Sequence, residues 1–334
     1  MNDQIKKVFS LFFDDTPITE HLIDTSRGDT DFRMTVIIET IKGSKYVLKL
    51  ADNDFTFPEK IAVWQRTVEE YRKLGYYCPR IYRDKSGRFP IVAYSGHRCA
   101  AYAEEFAPYR SAEDRFMDEY GHDKALYNEY KQDIWQMTAR IAALHLDYTE
   151  YPSGYCLFER FCPSDKTDEV LENAMAWKSY ADTLPGEYKE QVERIWRLWT
   201  GNRAALEPFY RALPASVFQA DLNPSNILLD DEGKFVGVYD FNLCGRDVFL
   251  NYLIRECRSV PEICEALKTA SECYSFSDVE KDAVLMLYRC LKPLWYTEVE
   301  TLKEAGSDCN AIRASLDKTE YALTARIDFA QYMG

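Results

Sequence analysis

Three side chains that could take part in phosphate or metal chemistry lie within one short stretch of the chain. Asp221 and Asn226 stand in the run ADLNPSNILL, and Asp240 ends the run VGVYD. Carboxylate and amide oxygens are hard ligands of the kind that Mg²⁺ takes in proteins, where it commonly shares its coordination shell with phosphates. The residue types alone therefore suggest a site for a metal ion and phosphate.

The spacing of these residues brings them together if the segment folds as a hairpin. The two apolar runs on either side of the turn DEGK are predicted to be antiparallel strands. Pairing centred on that turn places Asn226 opposite Tyr239. It places Asp240 opposite Ser225, so that both side chains meet at the open end of the hairpin beside Asp221. The alternative is that Asp and Asn act here only as turn formers, which we disfavour because three oxygen-bearing side chains converge.

The elements that precede this hairpin predict a small β-rich lobe. Residues 33–41 and 45–50 are rich in β-branched types and flank a Lys-Gly-Ser turn, which predicts a second hairpin. Further strands are expected at 80–82 and 89–94. We therefore predict a mostly antiparallel sheet within residues 1–104.

One helix is expected inside this lobe, over residues 56–74. Thr56 and Glu59 have the spacing of a capping box, Pro58 suits the first turn, and Gly75 would end the helix.

Beyond residue 104 the pattern becomes mainly helical. Three stretches with helical periodicity and one compact β region follow along the chain: 111–147, 165–212, 217–241 (the β region) and 247 to the end. The predicted fold class is α+β, with a small lobe over 1–104 and a large helical lobe over 105–334.

Composition narrows the function classes. The 334 residues carry 41 basic and 55 acidic side chains, a net charge of −14, which disfavours nucleic acid and anionic lipid as partners. It mildly favours cationic partners, but a soluble surface that charge keeps monomeric is the better explanation. Neither a secretory signal nor an apolar stretch of membrane-spanning length is found, so a cytoplasmic protein is expected. The ten cysteines include no C-x-x-C pair and are predicted to be reduced and mostly buried.

The segment DLNPSNILL, followed by a turn and VGVYDF, strongly resembles the aminoglycoside phosphotransferase/choline kinase family. That family has the two-lobed protein-kinase-like fold, and its pattern is His-Gly-Asp-x4-Asn followed by Asp-Phe-Gly or a variant. The two-lobed organisation predicted above is similar to the family's over nearly the whole chain.

The resemblance implies a role for each of four residues. Asp221 would be the catalytic aspartate that positions the acceptor hydroxyl and accepts its proton. Asn226 and Asp240 would hold Mg²⁺ against the phosphates of ATP, with GTP as an alternative donor. Lys49, in YVLKL, would pair with the α- and β-phosphates.

It also implies two further contacts to the nucleotide. Residues 103–106 would form the hinge, where backbone groups of Glu104 and Phe106 bind the adenine. Residues 26–29 would form the loop that covers the phosphates, with Gly28 as its glycine.

The sequence departs from the family pattern at several positions. Gln219 replaces the usual histidine, but an amide can also donate and accept hydrogen bonds. Asn242 replaces a glycine, and Asn tolerates left-handed backbone. Asn251 stands near a position where the family often has an aspartate, which would change a hydrogen-bond network rather than the metal site.

The partner of Lys49 is a further departure. Where the family places a helix glutamate that pairs with the lysine, this chain has Trp64 or Gln65. The sequence therefore leaves the partner of Lys49 open.

Two functions from different classes follow. The first is an ATP- or GTP-dependent, Mg²⁺-dependent phosphotransferase acting on a hydroxyl of a small molecule, such as an aminoglycoside, an amino alcohol or a sugar-like acceptor. The second is a catalytically silent kinase-like module for nucleotide binding or protein interaction. The presence of all four residues to which the resemblance assigns a role favours the enzyme. The departures from the family pattern favour the silent module. The sequence identifies neither the acceptor nor the oligomeric state.

Overall fold

The computed structural model describes residues 2–28, 30–115 and 130–334. Asp29, in the predicted phosphate-covering loop, and residues 116–129, within the predicted helical stretch 111–147, lie outside the described residues.

The strands, in chain order, are β1 Pro17–Asp24, β2 Phe32–Thr40, β3 Lys45–Asp52, β4 Ile81–Tyr82, β5 Ile91–Tyr94, β6 His97–Glu105, β7 Arg110–Ser111, β8 Ala215–Phe218, β9 Ile227–Leu229, β10 Phe235–Val238 and β11 Gly245–Val248. The described α-helices are α1 Asp3–Phe12, α2 Pro58–Lys73, α3 Lys131–Ala142, α4 Glu169–Ala181, α5 Lys189–Ala212, α6 Phe249–Glu256, α7 Val260–Ser271, α8 Asp278–Leu291, α9 Tyr296–Ala305 and α10 Cys309–Thr324.

The small lobe is built on one antiparallel sheet with strand order β1-β2-β3-β6-β4, and β5 pairs with β6. Its central strands place Lys49 of β3 directly opposite Tyr102 of β6. The predicted hairpin of β2 and β3 is confirmed. The helix α1 was not predicted, yet it packs Ile5 and Phe9 against this sheet in a separate small core.

The helix α2 is confirmed within a residue or two, but its predicted capping box is wrong. The helix begins at Pro58, so its N-cap position falls on Phe57, and no side chain caps it. Thr56 stands one residue too early for an N-cap role because Pro58 occupies the first helical position.

The main core runs from the small lobe into the large one. Trp64 and Tyr71 of α2 belong to the same continuous buried cluster as the helices of the large lobe. The predicted boundary at residue 104 between the lobes stays a prediction. All ten cysteines are free, and seven of them are buried, as was predicted for most of them; their reduced state stays a prediction. No helix within the described residues is both long and apolar enough to cross a membrane.

A backbone contact joins α2 to the hairpin that carries the site. The segment after α2 runs beside β10, where the Tyr77 amide donates to the Val236 carbonyl at 2.8 Å and the Val238 amide donates to the Tyr77 carbonyl at 3.0 Å. Gly237 lies between these two bonds, and a Cβ there would stand 1.8 Å from the Tyr77 carbonyl oxygen. Only a residue without a side chain permits this approach.

We predict that Gly237→Ala destabilises the protein by about 2–4 kcal/mol, because the methyl group must push the two backbones apart. Gly201→Ala is the matched control, since Gly201 lies in α5 and no atom stands within 4 Å of the position that a methyl group would take there. The control should be neutral or stabilising by up to about 1 kcal/mol. Urea-unfolding free energies measure both, and equal values for the two variants would contradict the close-approach argument.

Candidate functional site

The loop between β8 and β9 positions Asp221. β8 ends in the fully buried Phe218, and a short 3₁₀ turn over Pro224–Asn226 precedes β9. The side chain of Asn223 accepts from the Ser225 amide at 3.0 Å and its Nδ2 donates to Asp221 Oδ1 at 2.9 Å. Asn223 therefore fixes both the turn and the carboxylate.

The predicted hairpin register holds at its open end. Val238 pairs with Ile227, and the Tyr239 amide donates to the Asn226 carbonyl at 3.1 Å. Nearer the turn, a bulge shifts the pairing without affecting the site. Asn226 Nδ2 donates to the backbone carbonyl of Asp221 at 2.9 Å and to its Oδ2 at 3.2 Å, so these two predicted site residues are in direct contact.

Asp240 follows β10 in the left-handed region, with φ of +59°. A non-glycine residue in this region carries a cost of about 1–3 kcal/mol, and such residues concentrate at functional sites. Asn242, which replaces the family's glycine, lies within the 3₁₀ turn Phe241–Leu243, so the left-handed residue of this segment is Asp240 and not Asn242.

The ammonium group of Lys49 joins Asp240 to the small lobe. Lys49 Nζ lies 2.9 Å from Asp240 Oδ1 and 3.3 Å from Glu104 Oε2. Burial alone would lower the pKa of Lys49, but the two carboxylates outweigh it and hold that pKa well above its ordinary value. The lysine therefore remains charged, as binding of phosphate requires.

Glu104 supplies the partner of Lys49 that the sequence left open. It lies on β6 two residues from Tyr102, so its side chain lies on the same face of the sheet as Lys49. Trp64 and Gln65 do not serve this role. Trp64 packs edge-on against the Tyr102 ring at 5.9 Å, and Gln65 donates to the Ile81 carbonyl at 2.8 Å.

Gln219 connects the loop of Asp221 with that of Asp240. Its fully buried amide donates to the backbone carbonyls of Tyr239, at 3.3 Å, and Asp240, and its Oε1 accepts from the Asp221 amide at 3.2 Å. Its own backbone N–H donates to the Tyr71 hydroxyl at 3.0 Å. The amide thus both donates and accepts, as expected of a replacement for the family's histidine.

A second buried hydrogen-bond network surrounds Asp247 in the large lobe. Asp247 accepts from the hydroxyls of Ser153 at 2.6 Å and Tyr210 at 2.8 Å. Asn251 donates to Asp247 at 3.1 Å and to the Tyr155 carbonyl at 3.0 Å. Asn251 stands out in the sequence, whereas Asp247, which accepts these hydrogen bonds, does not.

A cavity of about 750 Å³ in the large lobe opens onto Asp221. Arg255 lines the cavity beside the loop of Asp221. Its Nη2 donates to the carbonyl of Ala220 at 2.6 Å, and its guanidinium stacks 3.6 Å from the Tyr155 ring centre. The hydroxyl of Tyr155 lies 3.5 Å from Asp221 Oδ1. No sequence motif marks these residues, because they come from distant segments.

Burial raises the pKa of Asp221, and the bond from Asn223 and the charge of Arg255 offset only part of that effect. A carboxylate with a raised pKa is a better proton acceptor than an exposed one.

Glu169, the first residue of α4, also lines the cavity. Its Oε2 is buried and has no hydrogen-bond partner. Burial is the main cause that raises its pKa to about 7, and the charge of Asp221 adds to the effect. Nothing in the sequence around Glu169 indicates such a position.

The other predicted nucleotide-binding residues are less closely tied to this group. Gly28 lies in the exposed loop between β1 and β2 with φ of +75° and open space around it. Phe106 follows β6, with Lys45 Nζ 5.7 Å from its ring centre. In the described part of the chain no hydrogen bond joins either residue to Lys49 or Asp221. Their roles, and that of the Glu104 backbone, stay predictions.

The chemistry of the donor set suits a divalent metal ion. Because the Asn226 amide nitrogen is engaged by Asp221, its Oδ1 is oriented away and accepts only a long contact of 3.5 Å from Ser225. Asp240 uses only Oδ1 for Lys49 among the described residues, and its side chain is 33% exposed. Two hard oxygens are thus free to bind Mg²⁺.

A family model described as "APH: Phosphotransferase enzyme family" matches residues 26–251, about two thirds of the chain. The chain therefore belongs to the phosphotransferase enzyme family, and the resemblance found in the sequence is confirmed. A search of curated proteins found no match.

Two solved structures share the fold at low identity. One is the amicoumacin kinase hAmiN in complex with AMP-PNP, Ca²⁺ and Ami, with a TM-score of 0.55 and 14% identity over 99% of this chain and 97% of that one. The other is a microcompartment-associated aminopropanol kinase, with a TM-score of 0.53 and 14% identity over 96% and 94% of the two chains. The α+β, two-lobed protein-kinase-like fold is confirmed.

Glu169 gives a pH-dependent prediction. Because its pKa in the folded protein lies above the ordinary value, folding favours its protonated form, and this contribution is lost as pH rises through about 7. We expect Glu169→Gln to raise the unfolding free energy at pH 8 by about 1–3 kcal/mol relative to the original chain, and to change it little at pH 5.

Urea unfolding at the two pH values measures this difference. The exposed Glu304, on α9, provides the control variant Glu304→Gln, for which no pH-dependent gain is expected. An equal effect of Glu169→Gln at pH 5 and pH 8 would exclude a buried, protonated Glu169.

Proposed function

We propose that this chain is a small-molecule kinase that transfers the γ-phosphate of ATP or GTP, with Mg²⁺, to a hydroxyl of an acceptor bound in the cavity. The observation that carries the proposal is that Lys49 pairs with Asp240, that Asn226 bonds to Asp221, and that Gln219 joins the two loops beside a cavity large enough for a small molecule. Family membership supports the same class of reaction.

Each residue has a distinct task in this proposal. Asp221, held by Asn223 and Asn226, orients the acceptor hydroxyl and accepts its proton as the oxygen attacks the γ-phosphorus. The bond between the γ-phosphorus and the bridging oxygen breaks, and the nucleoside diphosphate leaves. Lys49 binds the phosphates of the donor, and its charge is preserved by Glu104 when Asp240 turns to other partners.

The metal would be held by Asn226 and Asp240, and it would neutralise negative charge on the phosphates when bound. Because phosphoryl transfer requires little covalent chemistry from the protein, positioning and electrostatics account for most of the expected rate enhancement.

The first test is removal of the Asp221 carboxylate. Asp221→Asn keeps the size and most hydrogen bonds of the side chain but cannot accept the proton. We expect acceptor-dependent consumption of ATP or GTP, measured with Mg²⁺ over a panel of hydroxylated small molecules, to fall by about 10²–10⁴-fold. Nucleotide affinity, measured by calorimetry, should stay within about twofold of the original.

Asp231→Asn is the matched control, because Asp231 lies exposed in the β9–β10 turn, and its turnover should equal that of the original chain. Full turnover in Asp221→Asn would contradict the assigned role. Nucleotide binding without turnover on any acceptor would instead favour the silent nucleotide-binding module.

A second test concerns Glu104. In Glu104→Gln, Lys49 keeps Asp240 but loses its other carboxylate partner. We expect the KM for the nucleotide to rise about tenfold, equivalent to about 1.4 kcal/mol, with a smaller change in kcat.

Glu105→Gln serves as the control because the neighbouring side chain points to Arg72, at 3.5 Å, rather than to Lys49. An unchanged nucleotide KM in Glu104→Gln would show that Glu104 does not position the lysine.

A further inference from the structure

Cationic side chains from four separate elements line the cavity close to one another. These residues, called the basic end below, are Lys131 at the start of α3, Arg255 on α6, Arg258 in the α6–α7 connection and Lys292 just after α8. Such convergence is unexpected in a chain whose net charge is −14.

Only part of this positive charge is neutralised within the protein. Lys131 forms an ion pair with Glu262, and Arg255 forms one with Glu256 at 2.9 Å. Among the described residues neither Arg258 nor Lys292 has a carboxylate partner. Lys292 Nζ donates to the Arg255 backbone carbonyl at 2.9 Å, which satisfies one of its three N–H groups.

Lys292 is held in an unfavourable state by its surroundings. Burial is the main cause that lowers its pKa to about 8, and the charges of Arg255 and Lys131 lower it further. A cation in this position costs free energy unless an anion arrives to pair with it.

Arg255 provides an independent observation. Its side chain is only 7% exposed, it lines the cavity, and its Nε is buried without a hydrogen-bond partner. A buried guanidinium N–H is seldom left unsatisfied in a folded protein. Ser259, which also lines the cavity, begins α7, so the positive end of that helix dipole adds to the same field.

The acidic residues of the cavity do not cancel this field. Glu298 is paired with Lys318 at 2.8 Å. Glu169 interacts chiefly with Arg255 and its carboxylate neighbours, including Asp221. The cavity thus carries two carboxylates near the catalytic loop, Asp221 and Glu169, and the cationic cluster of the basic end, of which Arg255 also contacts that loop.

We infer that the acceptor carries a negatively charged group, a carboxylate or a phosphate, that binds at the basic end while its hydroxyl lies at Asp221. This inference rests on the proposed function and names the class of acceptor for the same site. It departs from the cationic partner that the net charge of the chain mildly favours, because the local field, and not the net charge, acts on a bound molecule.

The first experiment measures anion binding without turnover. The melting temperature of the whole chain is followed against inorganic phosphate and against malonate, with saturating AMP-PNP and Mg²⁺ present so that the nucleotide site is occupied. We expect stabilisation that saturates with anion concentration. Half-saturation should require at least about fivefold more anion in Lys292→Met and in Arg258→Ala, equivalent to about 1 kcal/mol.

Lys303→Met is the matched control, since Lys303 is 48% exposed and pairs with Glu300 on α9, and it should behave as the original chain. Arg258 is itself exposed, so Arg258→Ala does not threaten the fold, and AMP-PNP binding checks the fold of Lys292→Met. Absence of stabilisation by both anions, or equal half-saturation in both variants and the original, would overturn the inference. A response to malonate alone indicates a carboxylate, and one to phosphate alone indicates a phosphate.

The second experiment compares acceptors. The molecule that shows Asp221-dependent turnover is tested beside an analogue whose anionic group is replaced by an amide or a hydroxyl. We expect the analogue to lose at least about tenfold in kcat/KM, and Lys292→Met to remove most of that discrimination. An acceptor without an anionic group would overturn the inference and leave the proposed function intact. Failure of the proposed function would appear instead as absent turnover, which the anion-binding result does not depend on.

Discussion

The ion pairing of the Lys49 ammonium group, on a side chain that is only 15% exposed, is the interaction on which the rest of the site depends. An isolated charge away from water is too costly to keep, so it must be paired. Its two partners come from different parts of the chain. Glu104 lies on β6, the neighbouring strand in the sheet, and Asp240 lies in the large lobe. The pairing therefore requires the sheet register, the hairpin β9–β10 and the approach of the two lobes to be correct together. It also offsets the cost of the left-handed backbone at Asp240.

Polar side chains that bind backbone groups transmit this constraint to the catalytic loop. Gln219 donates to the consecutive backbone carbonyls of Tyr239 and Asp240 and accepts from the amide of Asp221. Arg255 binds the carbonyl just before Asp221. Backbone groups are obligatory hydrogen-bonding partners, and an amide or a guanidinium can satisfy several of them at once. Gln219 thus connects the loop of Asp221 with that of Asp240.

Local features of the sequence were sufficient to predict the hairpin and the placement of Asp221, Asn226 and Asp240 at its open end, because a short turn fixes strand register. Contacts between distant segments could not be predicted in the same way. Glu104 was expected to act through its backbone, and its side chain was found beside Lys49 only because the sheet places both on one face. The predicted capping box was wrong by one residue. The residues that line the cavity could not be predicted, because they come from four or more elements whose relative positions the sequence does not show.

The cavity shows how a chain with a strongly negative net charge can still present a cluster of cationic side chains to a bound molecule. Acidic side chains on the surface are solvated and screened over roughly 8–10 Å at physiological ionic strength, so they contribute little inside a cavity. The groups that matter there line the cavity itself, and those that are buried retain their charge only through a neighbour or a ligand. Asp221 is kept ionisable by Asn223 and Arg255. Lys292 has no such carboxylate among the described residues. The fold pairs some of the charged groups of the cavity with internal partners and leaves others without one. The electrostatic character of the cavity follows from this division, and a bound molecule can supply the missing partners.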